Sequence, residues 1–155
     1  MSLTRRALAL ACLLVAAVVA GGCSRISLEA PAPTPADFQG IASELTKAGV
    51  VIDHLVSGDA GCPDPTLIQT AIGLDASGLD QAEPVRIYLY IFRNRDSFDR
   101  LRSTIDTCAQ SFVTDPETFE TIEQSPFVLA GQGPWAPEFE AAIRSALEVA
   151  AGTGD

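Results

Sequence analysis

The sequence predicts an α+β domain: a two-layer sandwich in which three helices accompany a mostly antiparallel sheet of four to five strands, in the order α-β-β-β-α-β-β-α. Three observations predict it. Residues 85–92 (VRIYLYIF) are β-branched and aromatic with almost no polar alternation, which marks a central strand covered on at least one face. Phe98, Leu101, Ile105, Cys108 and Phe112 repeat at spacings of 3, 4, 3 and 4, which is one face of a helix. Phe139, Ala142, Ile143, Ala146, Leu147 and Ala150 form a second stripe of the same period near the C-terminus.

The remaining elements follow in order. Asp37 supplies acidic charge to the first turn of a helix whose apolar face is Phe38, Ile41, Ala42, Leu45 and Ala48, and Gly49 suits the position that ends it. Residues 50–56 (VVIDHLV) form a strand by their β-branched content, with Val50, Ile52, His54 and Val56 expected on one side and Val51, Asp53 and Leu55 on the other. Residues 57–65 (SGDAGCPDP) are a turn cluster, 66–75 an apolar stretch expected as a strand, and 76–84 a loop. Asn94 caps the helix that follows residues 85–92. Residues 118–123 and 127–130 flank Gln124-Ser125-Pro126 and are expected to pair as a hairpin. Residues 131–137 (GQGPWAP) form a stiff loop holding the single Trp, and 152–155 are a short tail.

The chain has 155 residues, enough for one domain with a core of its own. Ten Lys and Arg against twenty Asp and Glu give a net charge of −10, which argues against nucleic acid as a partner, because phosphate binding needs clustered cations. Residues 7–20 (ALALACLLVAAVVA) are apolar without interruption, behind Arg5 and Arg6. About twenty residues are needed to span a bilayer, so this block has the size and basic front edge of an export signal.

That block ends Val19-Ala20-Gly21-Gly22-Cys23, and here the N-terminus resembles bacterial lipoprotein precursors, over residues 1–23 only. Ala20 stands where such lipoboxes usually carry Leu. The resemblance implies that 1–22 is a signal peptide removed before Cys23, that Cys23 carries a diacylglycerol thioether, and that its new amino group takes a further acyl chain such as palmitate. It implies a location on a cell membrane, lipid-anchored and facing outside the cytoplasm. A signal cut at an A-x-A-like site and an uncleaved short anchor are the alternatives. Thr4-Arg5-Arg6 also faintly resembles a twin-arginine signal. Residues 23–35 would then be the lipidated Cys and a Pro-rich tether, semi-rigid because of Pro31, Pro33 and Pro35. Residues 36–151 are the single globular domain, which resembles small single-disulfide envelope lipoproteins in general build; that likeness implies no site.

Four cysteines are present. With Cys12 lost in the signal and Cys23 lipidated, Cys62 and Cys108 remain as a pair in an oxidising compartment, which points to one disulfide. A free thiol or a metal pair is the alternative, and with His54 the only histidine a zinc site would lack ligands.

The chemistry-bearing residues are few. Asp53 next to His54 suggests an acid–base pair, but neighbours on a regular strand point to opposite faces. No G-x-S-x-G elbow, phosphate loop or EF-hand pattern occurs, and the acidic run Asp115, Glu117, Glu120, Glu123 reads as a solvated face. No metal and no cofactor is expected. Trp135 either plugs the edge of the core or, with Tyr88 or Tyr90, presents a ring to a ligand. The expected function is a non-enzymatic, membrane-anchored binding or interaction domain for an envelope protein or ligand. The alternative is a small envelope hydrolase using His54 and carboxylates.

Overall fold

The computed structural model describes residues 36–152. The expected export signal, the expected lipobox with Cys23, the expected Pro-rich tether and the last three residues of the tail lie outside them. Among the described residues, four α-helices and five strands follow in the order α1 (Phe38–Lys47), β1 (Val51–Ser57), α2 (Pro65–Ile68), β2 (Ala71–Gly78), β3 (Gln81–Ile91), α3 (Arg95–Ala109), a 3-10 turn (Pro116–Thr118), β4 (Phe119–Gln124), β5 (Phe127–Gln132) and α4 (Pro137–Ala151). The strands make one antiparallel sheet in the order β1-β2-β3-β5-β4. The α+β class, the antiparallel sheet and the order of the principal elements are those the sequence predicts.

Local chemistry explains the element ends. Asp37 Oδ1 accepts from Gly40 N (2.9 Å) and caps α1, and Gly49 leaves that helix with φ +91°, a conformation that costs a glycine little. Asn94 Oδ1 accepts from Ser97 N (2.9 Å) and caps α3. Residues 66–75, expected as one strand, divide instead. Asp64 caps a single turn of helix through Thr66 N and Leu67 N, Pro65 starts it, and the strand begins only at Ala71. The loop expected over 76–84 shrinks to a tight turn at Leu79 and Asp80, because β2 and β3 both run into it. Asp80 then does a second job. Helix α4 has no side-chain cap of its own, and Asp80 accepts from Glu138 N (3.0 Å) and Phe139 N (2.9 Å) across the fold.

Successive residues of β3 feed opposite faces. Ile87 and Leu89, with Leu74, Ala76, Leu129 and Ile122, meet α1 and α4 in one apolar cluster. Tyr90, with Val128, Ala130 and Leu67, meets α3 in the other. Helices therefore lie on both faces, a third layer beyond the two expected. A strand with apolar side chains on both sides demands cover on both, and each fully buried leucine contributes about 1.5–3 kcal/mol.

The second face is sealed by the segment between β1 and α2. Cys62 and Cys108 form a disulfide, with Cα atoms 5.4 Å apart, that ties this segment to α3. Gly61 (φ +73°) presses against the rings beneath: a Cβ there would lie 2.5 Å from Phe112 Cδ1 and 2.8 Å from Tyr88 Cζ. The Tyr90 hydroxyl donates to Ala60 O (2.8 Å). Closing a loop 46 residues apart in sequence restricts the unfolded chain, so the Cys62→Ala/Cys108→Ala double variant is expected to lose roughly 4 kcal/mol. Urea unfolding with and without reductant checks this: the wild type should fall to the variant's midpoint when reduced, and the variant should not respond.

Candidate functional site

The apolar cluster under α3 covers only part of its face. Beyond Tyr88 and Gly73 the same side of the sheet carries Arg86 on β3, Asp75 and Ser77 on β2, and Val51 and Asp53 on β1, as the register pairs Asp75 with both Arg86 and Asp53 and Ser77 with Val51. Polar groups gather here. Arg86 Nη2 donates to Asp59 Oδ2 (2.6 Å), and Arg86 Nη1 donates to Asp75 Oδ1 (3.1 Å) and to His54 O (3.1 Å). The guanidinium also stands 5.8 Å from the centre of the Tyr88 ring. Gly73 makes room for this, since a Cβ there would lie 2.5 Å from both Arg86 Nη2 and Asp59 Oδ2. Partial burial pulls the Arg86 pKa down, but the bonds to Asp59 and Asp75 outweigh it and the group titrates above its ordinary value.

His54 joins the cluster through an irregularity in β1. The register shifts between Asp53 and Val56, and His54 takes the left-handed conformation (φ +48°). Its Nδ1 lies 3.0 Å from Asp75 Oδ2 and 4.0 Å from Asp53 Oδ2. The alternation expected for 50–56 therefore breaks at the bulge: Val56 comes to oppose Gly73, on the same side as Asp53, and the imidazole is oriented by Asp75 of the neighbouring strand. The ring is 73% exposed.

The aromatic residues separate. Tyr88 is partly buried and lines an open cleft of about 260 Å³ with Val85, Arg86, Phe112 and Gln132, its ring 4.4 Å from that of Phe112. Tyr90 is fully buried. Trp135 is 5% exposed, packs edge-on against Phe139 and donates from Nε1 to Gln132 O (3.1 Å). Of the three rings considered for ligand contact, then, two are turned into the core. Trp135 plugs the end of the sheet because an indole of that size is held by the apolar α4 layer and has its N–H satisfied there. Nothing in the spacing along the chain marks Arg86, Asp59 and Asp75 as neighbours. The one usable signal was Arg86 itself, a single charge inside an apolar strand.

Among the described residues, no group of three or more His, Cys, Asp or Glu is arranged to hold a metal ion, and no helix is long and apolar enough to cross a membrane. No family model matches the chain, and neither a curated protein nor a solved structure is found to match it.

Two predictions follow from this geometry. Arg86→Met leaves Asp59 and Asp75 facing each other without the guanidinium. Water reaches the cluster, so the expected loss is about 1–2 kcal/mol in urea unfolding, partly restored by adding Asp59→Asn. The second concerns alkaline pH. Burial, with a smaller contribution from the Asp59 charge, raises the Tyr88 hydroxyl, and burial raises Tyr90 much further above the ordinary value of 10.0. The unfolded chain thus loses these protons first, so the stability they contribute is intact below pH 10 and drains away as pH rises beyond it. Absorbance at 295 nm should show no tyrosinate from Tyr90 until the protein unfolds, and Tyr90→Phe should flatten the alkaline loss of stability. Full ionisation of both tyrosines near pH 10 with the fold intact would contradict this.

Proposed function

We propose that this chain is a membrane-anchored extracytoplasmic lipoprotein whose globular domain binds or organises another envelope component without catalysing a reaction. The observation that carries the reading is the division of the four cysteines. Val19-Ala20-Gly21-Gly22-Cys23 marks one for lipid, Cys12 falls within the apolar signal, and Cys62 and Cys108 are joined in the domain. A single structural disulfide in a small domain fits an oxidising compartment. On this reading the mature chain starts at Cys23, and its net charge becomes −12 once Arg5 and Arg6 are removed. An acidic body is repelled by an anionic membrane surface, and the Pro-rich residues 24–35 hold it away. Two or more acyl chains make the attachment stable where one would be marginal.

A second reading, a small hydrolase with His54 as base and Asp75 as its orienting carboxylate, has the 3.0 Å contact between them in its favour. The exposure of the imidazole weighs against it. A developing charge is best stabilised where water is excluded, and this face is open.

Mass spectrometry of the native protein is the test. The expected mature species begins at Cys23 and carries a diacylglycerol plus an N-acyl group. Cys23→Ser should leave the precursor unlipidated and deprive the domain of its detergent-soluble, membrane-bound pool. A native protein that begins elsewhere with a bare thiol at position 23 overturns the proposal.

A further inference from the structure

We propose that edge strand β1, with the exposed carboxylate of Asp53 on it, docks a cationic, leucine- or valine-rich segment of a polypeptide partner. The inference rests on the binding-domain reading and names the partner chemistry for this face.

The two edges of the sheet are built differently. At the β4 edge the apolar Ile122 is buried, Glu120 and Glu123 supply charge, and Glu123 pairs with Arg102. Charged side chains of this kind are how natural proteins keep an edge from sticking. Strand β1 shows the reverse. Val51 is 59% exposed, Leu55 51% and Val56 48%, so three of the six large apolar side chains exposed among the described residues stand on one seven-residue edge strand. Ile68 is exposed as well, next to the point where the chain leaves β1. Scattered apolar residues need no explanation, but a cluster on a sheet edge marks a contact surface.

Charge selects the occupant. Three carboxylates, Asp53, Asp59 and Asp75, share this face with one guanidinium, and Arg86 is already committed to Asp59, Asp75 and a backbone carbonyl. Asp53 is three-quarters exposed, with the His54 imidazole 4.0 Å away. Asp53 Oδ1 accepts from His54 N (2.8 Å), and the rest of the carboxylate faces outward, so a lysine or arginine placed over it would be attracted without displacing another lysine or arginine. A second copy of this chain suits the surface poorly. Two mature chains of net charge −12 repel, and the bulge between Asp53 and Val56 interrupts the ladder that a symmetric strand pairing would extend. The partner therefore docks through its side chains, apolar groups on Val51, Leu55 and Val56 and cations on the acidic rim.

The test uses the full mature chain in non-ionic detergent, titrated with a peptide of about ten residues alternating lysine and leucine. A glutamate–leucine peptide of the same length is the control. The lysine peptide should bind with a micromolar dissociation constant, shift the backbone amide resonances of β1 and Asp75, and weaken as salt is raised. Leu55→Ser and Asp53→Lys, both at exposed positions, should each reduce affinity about tenfold or more while circular dichroism stays unchanged. Binding that ignores both substitutions, equal binding of the glutamate peptide, or shifts confined to another surface would overturn the proposal. So would a dimer in sedimentation that Leu55→Ser dissociates, since a second copy would then be the occupant. Lipidated protein that ignores the peptide sinks this inference alone. Peptide binding by a chain that is never lipidated sinks the anchor alone.

Discussion

Strand β3 needs cover on both faces, and most of the architecture answers that need. Its side chains alternate Ile87 and Leu89 toward one side, Tyr88 and Tyr90 toward the other, and neither set can be left in water. One face is closed by α1 and α4, and Ala36, just before α1, donates from its N to Ala150 O of α4 (2.8 Å). The other is closed by α3 and the segment through Ala60 to Leu67. That second cover is thinner. It depends on a disulfide, on the Tyr90–Ala60 hydrogen bond and on a glycine at position 61 that lets backbone lie directly on aromatic rings.

Because the second cover is short, the sheet face beneath it is divided. Where α3 and the disulfide-bound segment reach, the face is apolar and dry. Where they stop, the same strands carry Asp75, Arg86 and Asp53. Asp59 belongs to both regions. It is part of the covering segment, it accepts from Gly61 N (3.0 Å), and it holds Arg86. The polar cluster is thus an anchor for the covering segment and also the inner wall of the open face. A change at Arg86 would be felt in the cover, and reduction of the disulfide would be felt at the cluster.

The bulge in β1 is the other feature with consequences beyond its place. It turns His54 out of the regular alternation and against Asp75, leaves Leu55 and Val56 exposed on the edge, and interrupts the ladder that would let strands add indefinitely. An edge that is apolar yet irregular favours a partner that binds by side chains over one that extends the sheet.

Much of the fold was legible in the linear sequence. Periods of 3.6 placed α1, α3 and α4. Asn94 marked a helix start, Gly49 a helix end, and the run from Val85 to Phe92 the central strand, because these signals are local: spacing, capping chemistry and β-branching act within a few residues. The proposed export signal and lipobox are readings of the same kind, taken in order along the chain. What the tertiary structure decided lies wherever a residue's partner is distant in sequence. Asp80 caps a helix 58 residues on, Asp59 meets Arg86 across 27, and His54 meets Asp75 through a bulge that no spacing rule announces. Trp135 was ambiguous for the same reason: a ring in a stiff loop becomes a plug or a platform according to what stands opposite it, and only the packed α4 layer settles which.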